Sequence, residues 1–218
     1  MINKLTIHSG ANNTKANSIE YLLCAINFKH SYIEVDVRVS LDNICFLAHD
    51  NLINNIELDS LNFNDAKIYD EQLITLDQAI SFAKKYNTKL NIDIKDDKYI
   101  EKIISCIEEN DFVNNCVISG THLEGAKLIN KINKNIRIII NFEEEYYDNI
   151  EYYVNEYKKI ILFGININYL LLDSPLFFKL RELNFPIFTW TVDNLKDFEI
   201  CKRNEVFNIT TNYPNLFY

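Results

Sequence analysis

The segment Tyr32-Ile33-Glu34-Val35-Asp36-Val37 alternates apolar and acidic residues. A period of two places Glu34 and Asp36 on one side of a strand and Ile33, Val35 and Val37 on the other. Two carboxylates set side by side repel one another, and they are stable together with a cation between them or with water around them. The competing reading is an edge strand with a solvated polar face. Leu90-Asn91-Ile92-Asp93-Ile94-Lys95 ends in charge in the same way, with Asp93 and Lys95 on a shared face. A third carboxylate brought in from an adjacent strand completes an oxygen-rich site for Mg²⁺ or Ca²⁺, and Lys95 then offers positive charge to a phosphate. The plain alternative is a surface ion pair of small energetic value. His8 closes Leu5-Thr6-Ile7-His8, and His49 closes Ile44-Cys45-Phe46-Leu47-Ala48-His49, so two of the chain's four histidines stand where an apolar run stops. Two imidazoles at one site suit general acid and general base work near neutral pH. His30 and His122 read as packed or hydrogen-bonded residues. The only Trp, Trp190, stands at the tip of Phe188-Thr189-Trp190-Thr191-Val192, where it can form a pocket wall.

Positioning these residues is the task of eight strand-like runs: 4–8, 32–37, 89–95, 115–119, 136–141, 159–167, 186–192 and 206–211. Helical patterns separate them. Ser18–Phe28 carries Ile19, Leu22, Leu23 and Ile26 at helical spacing, and Thr75–Tyr86 carries Leu76, Ala79, Ile80 and Ala83 behind a Thr75 cap. Similar patterns cover 98–109, 123–133, 146–157, 174–183 and 195–203. Alternating strands and helices make parallel βαβ units, and apolar runs such as Ile136 to Ile140 read as strands covered on both faces. Eight strands predict an α/β fold, a compact (β/α)8 TIM barrel occupying residues 1–218 as one domain, with an open doubly wound sheet as the alternative. In a barrel the ends of the strands form the face where active sites gather. The stretch 49–74 fits less well and reads as a short strand or loop excursion over one end of the barrel. With only four Gly there is no Gly-rich phosphate loop, which excludes the common nucleotide fingerprints.

The chain has 218 residues, and its 22 Lys+Arg against 31 Asp+Glu give a net charge of −9. No basic cluster with interleaved aromatics is present, which argues against a nucleic-acid partner. An acidic protein that binds an anionic substrate needs a local cation, either a metal ion or a placed Lys or Arg. The apolar runs are far shorter than a bilayer span, so no transmembrane segment is expected. Met1-Ile2-Asn3-Lys4 leads straight into a strand without an export signal, and five Cys at unpaired spacings read as reduced, buried thiols. A cytoplasmic location follows as the expectation.

Taken in order, His8-Ser9-Gly10, Asn17-Ser18, Glu34-x-Asp36-Val37, His49-Asp50, Asp93-x-Lys95, Trp190-Thr191-Val192 and Thr211-Asn212-Tyr213-Pro214 resemble the glycerophosphodiester phosphodiesterases, which are metal-dependent (β/α)8 hydrolases. The similarity runs over essentially the whole chain. It implies that Glu34, Asp36 and Asp93 bind a divalent cation, that His8 and His49 are the acid–base pair, that Lys95 contacts the phosphate of a small phosphodiester, and that Trp190 lines the pocket. Asn17, Tyr169 and Tyr213 join them as substrate-side candidates. The sequence departs from the family pattern at Ser9, where Arg is usual, and at Lys15-Ala16, where Pro-Glu is usual. It departs again at Asp93, where the longer Glu is usual, and at Asn212, where Asp is usual. Asp-x-Lys and Thr-Asn-Tyr-Pro also resemble the spider-venom sphingomyelinase D branch, which implies a lyase or transferase that releases a cyclic phosphate. Ser9 and Ala16 motivate a third reading, a non-catalytic binding barrel.

Overall fold

The computed structural model describes residues 4–217. Met1–Asn3, read above as running into the first strand without an export signal, lie outside the described residues. The chain alternates strands and helices in the order β1 (Leu5–Ile7), α1 (Ile19–Ala25), β2 (Tyr32–Val39), β3 (Cys45–Leu47), β4 (Leu52–Ile53), β5 (Ile56–Glu57), α2 (Phe63–Tyr69) and α3 (Leu76–Lys85). It continues with β6 (Leu90–Ile94), α4 (Ile100–Glu109), β7 (Cys116–Ser119), α5 (Leu123–Ile132), β8 (Ile139–Phe142), α6 (Ile150–Tyr157), β9 (Gly164–Asn168), α7 (Pro175–Arg181), β10 (Ile187–Trp190), α8 (Leu195–Arg203) and β11 (Asn208–Thr211).

Eight of these strands run parallel in the order β7-β6-β2-β1-β11-β10-β9-β8. The two ends of that row meet at a parallel bridge between Ile118 and Ile138, with the Ile118 amide donating to the Arg137 carbonyl at 2.8 Å. The sheet thereby closes into the expected barrel, and the open doubly wound alternative falls away. Helix starts follow local chemistry. Thr75 and Gln78 form a reciprocal capping box on α3, and Ser18, Ser174 and Asn194 accept from the first turns of α1, α7 and α8. Each helix turns an apolar stripe inward; in α4 it is Ile100, Ile103, Ile104 and Ile107.

Two boundaries differ from the sequence expectation. The run over 159–167 is extended only from Gly164, because the Asn130 side chain brackets Ile161: its carbonyl oxygen accepts from the Ile161 amide at 2.6 Å, and its amide donates to the Ile161 carbonyl at 3.1 Å. Those backbone groups are therefore satisfied in a loop instead of a ladder. The helix expected over 146–157 begins as a 3-10 stretch (Glu144–Asn149) and becomes α-helical only from Ile150.

The excursion over 49–74 is more ordered than its sequence suggests. It holds the β4–β5 hairpin and α2, and it packs through Leu58, Ala66 and Leu73 against the fully buried Phe46. It starts from β3, which pairs antiparallel with the last residues of β2, Val37 with Leu47 and Val39 with Cys45. The Ala48 amide then donates to the Asp36 carbonyl at 3.1 Å, so the next residue, His49, is delivered to the end of β2.

Asn takes over much of the work that Gly does elsewhere. Left-handed φ values occur at Asn12, Asn13, Asn17, Asn43, Asn54, Asn55, Asn87 and Asn184. Asn is the side chain that tolerates that region best after Gly. Gly120 is a position that Asn could not fill. Its φ is +78°, and a Cβ there would lie 2.4 Å from the Ile94 carbonyl oxygen and 2.9 Å from Asp93 Oδ1. Gly120→Ala is expected to lower the unfolding free energy by about 2–4 kcal/mol, from left-handed strain plus overpacking, and to displace Asp93. Urea denaturation measures it, and an unchanged midpoint would contradict this packing.

Candidate active site

Strand ends gather the titratable residues. β1 leads into His8, β2 presents Glu34 and Asp36, and β6 presents Asp93, which is in register with Asp36 across the parallel pair. Because β2 is held between β1 and β6, it is no edge strand. Its acidic face looks into the barrel mouth, where Glu34 and Asp36 are only 5% and 4% exposed. The solvated-face reading is thereby excluded. One carboxylate oxygen from each of Glu34, Asp36 and Asp93 lies within 4.8 Å of the others.

Four groups hold these acids. Lys95 Nζ lies 2.7 Å from Asp36 Oδ1 and 2.6 Å from Asp93 Oδ2, so the surface-pair reading of Asp93 and Lys95 gives way to a recessed three-residue network. The Ser9 amide donates to Glu34 Oε2 at 2.8 Å. Asn17 grips Asp36 twice: its side-chain amide donates to Oδ2 at 2.7 Å, and its carbonyl oxygen accepts from the Asp36 backbone at 3.0 Å. The Ser119 hydroxyl donates to Asp93 Oδ1 at 2.6 Å.

The electrostatics are uneven. Burial, and then repulsion from Asp36 and Asp93, pushes the Glu34 carboxyl well above its ordinary range. Burial also works against the Asp36 anion, but the Lys95 ammonium and the Asn17 amide outweigh it and hold Asp36 below the usual carboxylate range, with His49 adding to the effect. Lys95 is partly desolvated, which opposes its charge, yet the carboxylates of Asp93 and Asp36 overcome this and raise its pKa. The cluster thus carries more negative charge than its own lysine offsets. Buried charge of that kind calls for a further cation, and hard oxygen donors suit a divalent one.

The two imidazoles have different partners. His8 Nδ1 lies 2.8 Å from Asn212 Oδ1. His49 Nδ1 lies 2.8 Å from Asp50 Oδ1, in a pair that is largely exposed, while Arg38 donates twice to the His49 carbonyl and fixes the turn. Both histidines line one cavity of about 300 Å³ together with Glu34, Asp36, Asp93, Lys95 and Trp190. Larger hollows of about 770 and 600 Å³ open at the other end of the barrel around Lys4 and Phe207, but neither brings carboxylates and imidazoles together.

The remaining substrate-side candidates sit elsewhere. Asn17 holds Asp36 and is absent from that cavity's lining. Tyr169 interacts with Asp197 and Tyr213 is 39% exposed, and neither is among the lining residues. Sequence reading passed over Asn91, Ser119, Asn141, Asn166, Thr191 and Thr210, which do line it. Asn91 was within reach, since it shares the Asp93 and Lys95 face by period two. Asn141 and Asn166 meet only through the β8–β9 register, where the Asn166 amide donates to Asn141 at 3.1 Å.

The model of the glycerophosphoryl diester phosphodiesterase family matches residues 8–216. The chain belongs to this family. A search of curated proteins finds no match. Among solved structures, a glycerophosphodiester phosphodiesterase from Thermotoga maritima is 19% identical, with 100% of this chain and 97% of that one covered at a TM-score of 0.84. One from Parabacteroides distasonis is 23% identical over 97% and 93%, with a TM-score of 0.83. A phosphodiesterase from Oleispira antarctica, solved with its product sn-glycerol-3-phosphate, is 14% identical over 98% and 94%, with a TM-score of 0.78. These likenesses establish a shared barrel. Family membership makes the protein a phosphoric diester hydrolase of the glycerophosphodiesterase kind. No helix among the described residues is long and apolar enough to cross a membrane.

A measurable consequence follows from Glu34. Its carboxyl is raised in the fold, so the proton is favoured on folding, and the metal-free protein loses stability as pH rises from the unfolded value of about 4.3 toward the folded one. Asp36 acts oppositely: its contribution is present above about pH 3.9 and is lost as pH falls. Glu34→Gln is therefore expected to raise the melting temperature of EDTA-treated protein at neutral pH, by roughly 2–4 °C per kcal/mol relieved, and to remove any stabilisation that an added divalent cation would give the wild type. Thermal scans with and without cation check it; a Glu34→Gln variant still stabilised by cation to the wild-type extent refutes the ligand role.

Proposed function

We propose that the protein hydrolyses a glycerophosphodiester by acid–base catalysis between His8 and His49, beside a divalent cation, Mg²⁺ or Ca²⁺, held by Glu34, Asp36 and Asp93. The observation that carries the reading is the convergence of three carboxylates, two buried and one partly buried, with one lysine and both histidines on a single cavity. Three acids against the one ammonium of Lys95 leave two formal negative charges, which matches a divalent ion. When bound, the cation supplies Lewis-acid stabilisation of a phosphate oxygen as charge builds up.

The chain's own residues account for the remaining steps. Lys95 stays protonated and aligns Asp36 with Asp93, and it adds positive charge at the phosphate position. His8, which faces a neutral amide, takes the proton from the substrate hydroxyl that attacks phosphorus, so that a cyclic phosphate forms as the alcohol leaves, and water then opens that ring to the monoester with the proton transfers reversed. His49, whose Nδ1 lies against Asp50 Oδ1, gives a proton to the leaving alcohol. Two buried polar atoms find no partner in the protein and lie on lining residues: Asn91 Oδ1, an acceptor, and Trp190 Nε1, a donor. Ser9, in the place of the usual Arg, serves the framework: its amide holds Glu34 and its hydroxyl accepts from the Asn17 amide at 2.9 Å. The five thiols are all free, which supports a reducing compartment such as the cytoplasm.

His8→Ala and His49→Ala are each expected to lower kcat by at least ~10²-fold on a glycerophosphodiester, the usual scale of general acid–base catalysis. EDTA should abolish turnover, and Mg²⁺ or Ca²⁺ should restore it. Phosphorus NMR should show a phosphomonoester as the end product. A cyclic phosphate that persists would favour the lyase reading, and full activity in both Ala variants would remove the mechanism.

A further inference from the structure

Asn212, just after β11, stands between His8 and an acidic side chain. Asp193, in the loop after β10, accepts three hydrogen bonds from the end of β11: from the Thr211 hydroxyl at 3.2 Å, the Asn212 backbone amide at 2.8 Å and the Asn212 side-chain amide at 2.8 Å. An ionised carboxylate only accepts, so it holds the NH₂ end of Asn212 toward itself. The carbonyl end is left facing His8 Nδ1 at 2.8 Å. A flipped amide would set oxygen against oxygen at Asp193. The surrounding backbone is also pinned, with the His8 amide donating to the Thr211 carbonyl at 2.9 Å and the Asn12 amide to the Asn212 carbonyl at 2.9 Å.

We propose that Asp193 and Asn212 form a positioning pair that locks His8 in the Nδ1–H tautomer. An amide oxygen cannot donate, so His8 Nδ1 must carry the hydrogen, and in the neutral ring Nε2 is left with its lone pair. The inference rests on the reading of His8 as the proton acceptor, because that role needs an unprotonated nitrogen at the cavity. It gives the Asn at 212 a definite function. The negative charge stands one residue further from the imidazole, and the neutral amide passes on its orientation without placing a full charge beside the ring. Neither residue is assigned contact with substrate; both act through His8.

The test combines nitrogen NMR of His8 in the resting protein with steady-state kinetics. Wild type is expected to show a pyrrole-like Nδ1 and a pyridine-like Nε2. Asn212→Ala should shift His8 toward the Nε2–H form and lower kcat roughly 10–100-fold, with KM changed less than about twofold. Asn212→Asp alone places two carboxylates in contact and should also lose turnover. The double variant N212D/D193N exchanges the acid and the amide, and it should restore both the Nδ1–H tautomer and kcat to within about threefold of wild type, since an acceptor again faces Nδ1. An Nε2–H tautomer in wild type overturns the proposal without any variant being needed. So does an unchanged tautomer in Asn212→Ala, or an exchange variant no better than the single ones. The tautomer is read without substrate, so its failure is distinguishable from a failure of His8→Ala to lower turnover.

Discussion

Repulsion among three acids in the mouth of the barrel is the constraint from which the rest of the site follows. Two like charges about 5 Å apart repel by roughly 3 kcal/mol at an effective dielectric near 20. Three such pairs approach the whole stability of an ordinary domain, roughly 5–15 kcal/mol. Glu34, Asp36 and Asp93 therefore cannot be gathered there as bare anions. Lys95 offsets part of the repulsion, amide and hydroxyl donors from Ser9, Asn17 and Ser119 offset more, and Glu34 carries the remainder as a strong preference for its proton. The same imbalance gives the cluster the charge and the oxygen donors that a divalent cation would need. Function and instability have one origin.

The framework answers that constraint with short, rigid connections. The Tyr21 hydroxyl on α1 lies 2.7 Å from the Ile7 carbonyl and 2.8 Å from the Glu34 carbonyl and shares its one hydrogen between them, which ties the strand ends carrying His8 and Glu34 to one buried ring. Asn17 adopts a left-handed φ of 58° and from that turn reaches Asp36 with both ends of its amide. At Ser9 the backbone amide holds Glu34, and the small hydroxyl accepts from the Asn17 backbone amide.

The two histidines illustrate how one residue type acquires two characters. His8 meets a neutral amide whose direction is set by Asp193, and His49 meets an ionised Asp50 in a largely exposed turn. In each case the acceptor at Nδ1 orients the ring, through a neutral amide at His8 and a carboxylate oxygen at His49. Their placement on separate supports, one after β1 and the other delivered by the antiparallel β3, lets each environment be set independently.

What the sequence by itself determined was everything carried by local periodicity and by strand ends: eight parallel strands, the shared face of Glu34 and Asp36, that of Asp93 and Lys95, and the terminal positions of His8, His49 and Trp190. These follow from the two-residue alternation of a strand and need no knowledge of its neighbours. Tertiary structure alone decided that the acidic face of β2 is buried and not solvated, because that depends on β6 and β1 flanking it. It alone brought Asn141 to Asn166 and Asp193 to Asn212, which are far apart in the chain and share no pattern. It also set Asn17 against Asp36, and the cavity lining does not include Tyr169 or Tyr213. Partners across a closed sheet are set by register and by loop paths, and these are fixed when the barrel closes.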